Sequence, residues 1–213
     1  MSLAISPLQS RSVTRWKPHR QYRTTEIPQD LVHWLLDTAS LTLRLQQLCG
    51  CGFHVRVVSQ DWGRARLDEA RALGVACDGR VIVRQVQLMC GEDPWIYART
   101  VIPTTSLRGK LQRLAHLGTR PLGAMLFADP GMQRGVVELA RILPGQALFA
   151  DAMQSGKRQA GEIWGRRSVF RIANKPLLVS EIFLPGFPSA SARQPFGMDS
   201  PHFSPRDEPS LDL

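Results

Sequence analysis

At 213 residues, 43% of them hydrophobic, the chain is long enough for one sizeable core and too short for several domains. No apolar run of about 18 residues is present to span a bilayer, and the N-terminus lacks the apolar core of a signal peptide, so a soluble, cytoplasmic protein without stable membrane insertion is expected. The net charge of +9 is spread as five Lys or Arg and no acid over residues 1 to 25, 20 against 14 over residues 26 to 185, and two against four thereafter. Over half of the excess therefore falls in the part expected to fold, where it can attract an anionic ligand. With no DNA-reading motif and no aromatic residues interleaved with a basic patch, nucleic acid is not the expected partner.

Residues 1 to 25 are polar and basic and read as an arm outside the core. After Pro28, Leu31, Val32, Leu35 and Leu36 recur at helical spacing, and Ser40 can cap a second short helix carrying Leu41, Leu45 and Leu48, stopped by Gly50 and Gly52. Phe53 to Ser59 alternates as a strand, and Leu67 to Leu73 can form one or two helical turns. Val81 to Cys90 is a clearer strand; Gly91-Glu92-Asp93-Pro94 turns it back into a second one, Trp95 to Ile102.

Ser106 is placed to cap a helix with Leu107, Leu111, Leu114 and Leu117 on one side, stopped by Gly118. Pro121-Leu122-Gly123 opens a short segment, and Met132 to Leu143 has the spacing of an amphipathic helix. Pro144 to Gly161 is polar and glycine-rich and reads as a loop, while the proline-rich end beyond Gly186 reads as a disordered tail. Helices first, then strand hairpins separated by helices, predict an α+β fold, an antiparallel sheet with helices packed on one side.

The familiar catalytic patterns are absent. There is no GxSxG, no HExxH, no phosphate-binding glycine loop, and the five histidines have no ligand spacing. Cys49, Cys51, Cys77 and Cys90 contain no CxxC pair, and without a secretory signal all four are expected to be reduced. No metal is called for.

What stands out is a single charge on each of two apolar strand faces. In Leu177 to Leu184, Glu181 shares its face with Leu177, Val179 and Phe183; in Val81 to Cys90, Arg84 shares its face with Ile82, Val86 and Leu88. A carboxylate so placed needs a cation or a donor. Arg167 or Arg171, on the preceding strand Arg167 to Ala173, can supply it as a structural ion pair across a turn at Asn174-Lys175-Pro176. The functional alternative is a dry pocket in which Arg84 forks onto the carboxylate of a small organic acid, with backbone N–H groups near Leu122 adding donors.

The segments LMCGEDPWIYARTVIPTTSL, LGTRPLGAMLF and WGRRSVFRIANKPLLVSEIFLP resemble the chorismate pyruvate-lyases, which convert chorismate to 4-hydroxybenzoate and pyruvate at the start of ubiquinone synthesis. The resemblance covers residues 26 to 186 and is densest over 81 to 127 and 163 to 185. It implies a monomer that needs no cofactor, whose antiparallel sheet and helical flaps enclose an internal ligand cavity. It also implies that Arg84 and Glu181 are catalytic and that Leu41 and Leu122 join them in binding substrate, the leucines through backbone; Arg167 and Arg171 become scaffold.

The organisation implied is a basic arm over 1–25, a catalytic domain over 26–186 with an inserted loop at 144–161, and a tail over 187–213. Pro144 to Gly161 is longer than the family's usual link into WGRRS. A related fold serves as the effector-binding domain of some bacterial repressors, so the alternative function is a small-acid binder without turnover. Too few residues precede the core for the DNA-binding domain such repressors carry.

Overall fold

The computed structural model describes residues 12–154 and 158–188. Its strands are β1 (Lys17–Pro18), β2 (Phe53–Arg64), β3 (Arg80–Cys90), β4 (Asp93–Pro103), β5 (Gln133–Arg134), β6 (Glu138–Ile142), β7 (Ile163–Ile172) and β8 (Lys175–Phe183). They form one antiparallel sheet in the order β1-β6-β7-β8-β4-β3-β2, with β5 also paired to β7. The helices are α1 (Val32–Leu35), α2 (Leu41–Cys49), α3 (Leu67–Leu73), α4 (Leu122–Phe127) and α5 (Ala147–Met153).

Because side chains alternate along a strand, each strand contributes to two layers. On one face, Trp34, Leu35, Leu41 and Leu45 pack against Val86, Leu88, Ile96, Ala98 and Phe183. Farther along the same face, Leu111, Leu114, Leu117 and Leu126 cover Ile82, Ile102, Leu177 and Val179. On the opposite face, α5 packs Leu148 and Ala152 on Tyr97, Ile163 and Ile182, and α3 packs Ala70 and Leu73 on Val81, Val101 and Leu178. The α+β fold is as expected, but helices cover both faces of the sheet rather than one.

The second face also carries its own ion pairs. Arg99 grips Glu69 of α3 through Nε, 2.6 Å, and Nη2, 3.1 Å. Burial pushes the Glu69 carboxyl up, but the Arg99 guanidinium outweighs it and holds the group below the ordinary carboxylate range. Arg167 bridges Asp68 and Glu138, at 2.8 and 2.7 Å, and is scaffold in this sense; Arg171 is exposed.

Several expectations change. Met132 to Leu143 is not a helix but β5 and β6, because it lies in the sheet with both sides covered: Val137 and Leu139 on one face, Ala140 and Ile142 on the other. A segment buried on two sides loses the alternation that marks a strand. Gly135 packs closely there, since a Cβ would stand 3.1 Å from the Val169 carbonyl oxygen. Ser106 caps no helix; its hydroxyl donates to the Pro176 carbonyl, 2.7 Å, and the segment Gly109–His116 is a 3-10 helix. Leu111, Leu114 and Leu117, three residues apart, suit that tighter winding.

The arm and the loop are also built in where described. Thr14 donates to Gln146, 3.2 Å, Trp16 lies under Arg167 with the guanidinium 4.7 Å from its ring, and β1 pairs with β6. Within 144–161 the buried side of α5 is part of the core. Phe187, placed in the tail, is 8% exposed and meets Trp34, Trp95 and Phe183 edge-on. Residues 1–11, 155–157 and 189–213 lie outside the described residues.

The four cysteines are not all reduced: Cys49 and Cys90 form a disulfide, and Cys51 and Cys77 are free and exposed. The chain turns through Gly50–Gly52 into β2, whose first residue Phe53 pairs with Cys90, and this reversal sets the end of α2 beside the end of β3. The bond closes a sequence separation of 41. Under oxidising conditions, Cys49→Ser is expected to lower unfolding stability by about 2–4 kcal/mol. Thermal melts of both proteins with and without reductant test this; a variant as stable as oxidised wild type would show that the bond contributes nothing.

Candidate active site

The site lies where the two apolar clusters of one sheet face meet. Two adjacent rows of cross-strand neighbours build its floor. Arg84 of β3 stands opposite Thr100 of β4, and Thr100 opposite Val179 of β8. One row on, Val86, Ala98, Glu181 and Arg166 follow one another across β3, β4, β8 and β7. Leu41 and Thr42 of α2 and Leu122, Gly123, Leu126 and Phe127 of α4 form the roof, over a space of ≈ 590 Å³ that includes its open mouth.

The roof closes because α2 and α4 approach closely. A Cβ on Gly123 would stand 2.8 Å from the Thr42 hydroxyl oxygen, so any larger residue at this point of Pro121-Leu122-Gly123 makes the Thr42 side chain shift. Leu41 and Leu122 are the first residues of their helices, where backbone N–H groups have no intrahelical acceptor. Both residues line the pocket, as do Arg84 and Glu181, so the structure brings the four singled-out positions around one pocket.

Arg84 is 2% exposed. Its Nη1 donates to Gln60 of β2, 2.9 Å, and its Nη2 to the Arg120 carbonyl, 3.4 Å. Among the described residues no carboxylate lies within ion-pair distance of it. Desolvation accordingly pulls its pKa below the ordinary arginine value.

Glu181 is paired, but neither with Arg167 nor with Arg171. Its Oε2 accepts from Nε of Arg166, 2.6 Å, while Nη1 of Arg166 donates to the carbonyls of Trp34, 2.7 Å, and Asp37, 2.6 Å. The turn decides the partner. Ala173 and Asn174, both with positive φ, make a two-residue turn that pairs Ile172 with Lys175, and the ladder then sets Arg166 opposite Glu181. A turn one residue later, at Asn174-Lys175-Pro176, changes which arginine faces the pocket.

A third arginine, Arg134 of β5, also lines the pocket, and no spacing rule marked it. Its Nε donates to the Ser168 hydroxyl, 3.1 Å, and its Nη1 to the Thr38 carbonyl, 2.8 Å. Burial, and then the like charge of Arg166, lower its pKa. The loop it holds is itself fixed: Asp37 accepts from Ala39 N and pairs with Arg44, contacts that keep its carboxyl below the ordinary range despite burial.

The pocket wall thus carries Arg84, Arg134 and Arg166 against one carboxylate, Glu181. Among the described residues no group of three or more His, Cys, Asp or Glu side chains is placed to hold a metal ion. What this arrangement can do is hold a small, largely apolar anion with more than one negative group, out of water and with fixed donors around it.

A Methylococcus capsulatus protein named "Probable chorismate pyruvate-lyase" is 43% identical over 152 residues, covering 71% of this chain and 93% of its own. One of the same name from Psychromonas ingrahamii is 37% identical over 188 residues, covering 87% and 96%. The effector domain of PhnF from Mycobacterium smegmatis superposes with a TM-score of 0.50 at 16% identity, over 70% of this chain and 91% of that one, a likeness of fold. The family described as chorismate lyase matches residues 11–191, so the N-terminal segment from Arg11 is inside the family pattern, and the chain belongs to the chorismate lyase family.

Proposed function

We propose that this pocket binds chorismate and eliminates pyruvate from it, leaving 4-hydroxybenzoate. The observation that carries the reading is the charge balance of the wall, three buried or half-buried arginines against one glutamate, in a member of this family. Chorismate has two carboxylates, one on its ring and one on its enolpyruvyl side chain, and two cations without a carboxylate partner among the described residues match it.

The chemistry asks little of the protein. The bond between ring C3 and the ether oxygen breaks, the C4 proton is lost, the ring becomes aromatic, and the departing enolpyruvate takes up a proton to become pyruvate. The driving force is in the substrate; the enzyme has to select the reactive geometry, exclude water and stabilise charge on the leaving group. Arg84 anchors a carboxylate, and the amides of Leu41 and Leu122 fix the ligand against the roof. Oε1 of Glu181, which makes no hydrogen bond among the described residues, accepts from the ring hydroxyl while Oε2 stays with Arg166. Direct proton transfer to the enolpyruvyl methylene completes the reaction without a separate base.

In this reading the protein acts as a cytoplasmic monomer at the entry to ubiquinone synthesis, on a small molecule and with no nucleic-acid partner. Its support is the family and the arginines that line the pocket. No helix among the described residues is long and apolar enough to cross a membrane.

Purified protein incubated with chorismate is expected to release 4-hydroxybenzoate and pyruvate in equal amounts, with or without EDTA. Chorismate bound but recovered unchanged would make the protein a binder, as in the effector-domain alternative. Arg84→Gln is expected to lower kcat/KM about a hundredfold, roughly the 3 kcal/mol attached to losing one preorganised donor; near-normal turnover in a folded variant takes Arg84 out of the site. Glu181→Gln should reduce kcat/KM at least about tenfold, and an unchanged value would leave Glu181 only as the partner of Arg166.

A further inference from the structure

Of the three arginines in the wall, two are accounted for. Arg84 meets one end of the substrate, and Arg166 is consumed by Glu181 and by the carbonyls of Trp34 and Asp37. Arg134 is not. It has no carboxylate partner among the described residues, its Nε and Nη1 are committed to Ser168 and to the Asp37 and Thr38 carbonyls, and its Nη2 makes no hydrogen bond there. The stacking of its guanidinium on Phe170, 5.3 Å from the ring centroid, fixes the plane of the fork.

Its place in the sheet separates it from Arg84. Arg134 pairs with Phe170 of β7, and β7 is reached from β3 by crossing β4 and β8. Four strand steps of about 4.8 Å put the two backbones roughly 19 Å apart, so the two side chains enter the cavity from opposite walls. Glu181, on β8, stands two strand steps from each of them, between the two walls, and its charge acts on the Arg134 guanidinium.

Chorismate itself then orders the contacts. Its ring carboxylate is on C1, its hydroxyl on C4, at the far end of the ring, and its enolpyruvyl ether on C3, next to the hydroxyl. If Glu181 takes the hydroxyl, Arg84 takes the ring carboxylate on one side of it, and the enolpyruvyl group, next to the hydroxyl, can extend past Glu181 to the side away from Arg84, where Arg134 enters the pocket. We infer that Arg134 is the residue that binds the enolpyruvyl carboxylate, the group that leaves as pyruvate. This rests on the lyase reading above. It makes Arg134 a specificity residue: it distinguishes the dianionic substrate from the product 4-hydroxybenzoate, which keeps only the ring carboxylate.

A purely structural Arg134, tethering residues 37–38 to β5, has a different signature, because loosening that loop weakens every ligand alike. The experiment is therefore a comparison of two ligands. The KM for chorismate, or its calorimetric affinity should the protein not turn it over, and the calorimetric affinity for 4-hydroxybenzoate are measured for wild type, Arg134→Gln, Arg134→Lys and Arg84→Gln. In Arg134→Gln the chorismate terms are expected to weaken roughly 10- to 100-fold and 4-hydroxybenzoate by less than about threefold. Arg134→Lys should recover part of the loss, and Arg84→Gln should weaken both ligands.

Parallel weakening of both ligands in Arg134→Gln, or no weakening of chorismate, overturns the assignment. If Arg134→Gln fails to fold, Arg134→Lys carries the comparison, since it keeps the charge but loses the fork; the same selective loss, a few-fold, is expected there, and its absence is equally decisive. If wild type binds chorismate without releasing pyruvate, the lyase reading fails while the two affinities still decide the role of Arg134. If wild type binds neither ligand, both fall.

Discussion

The guanidinium of Arg166 is the point on which the site depends. Buried to 1% exposure, it is met through Nε by Glu181 across the ladder and through Nη1 by the carbonyls of Trp34 and Asp37 at and beyond the end of α1. A buried ion pair of this kind adds little net stability over an apolar pair, but removing one partner leaves an uncompensated charge and costs about 3–5 kcal/mol. Its value is positional. It holds the Glu181 carboxylate in one orientation and, through two carbonyls, holds the turn between α1 and α2 down onto the sheet.

That polar belt also explains why the face has two apolar clusters instead of one. Arg84, Thr100, Arg166 and Glu181 interrupt the rows between Val86, Leu88 and Ile96 on one side and Ile82, Ile102 and Val179 on the other. Cations cannot be packed over with leucine, so the helices that cover the two clusters leave a cavity between them. The roof over it is made tight by a different device, the absence of a side chain at Gly123, and the far end of α2 is held by the Cys49–Cys90 bond. Gly165, in the WGRRS segment, plays a similar part below the floor: a Cβ there would stand 3.2 Å from the Glu181 carbonyl oxygen, against β8 itself.

The other face works oppositely. Among the described residues its buried arginines are matched within the protein, Arg99 by Glu69 and Arg167 by both Asp68 and Glu138. The contrast between balanced ions on one face and excess arginine on the other distinguishes scaffold from site more sharply than burial does, since Arg99, Arg167 and Arg84 are all buried.

The strand alternation around Arg84 and Glu181 was legible in the sequence, because period-two patterning needs only local steric rules. So were the helices at Leu41 and Leu67 and the hairpin at Gly91, which depend on caps and turn residues a few positions apart. The four singled-out positions rested on those patterns and on whole motifs. The partner of Glu181, the strand identity of Met132 to Leu143, the disulfide and the presence of Arg134 in the wall were decided only by tertiary structure. Each depends on a register or an approach between segments far apart in the chain. One residue of slip in the β7–β8 turn exchanges Arg166 for its neighbour, and no local preference specifies that Arg134 lies over Phe170 or that Cys49 reaches Cys90. Local chemistry determines which residues are unusual for their surroundings; the pairing of strands determines which of them meet.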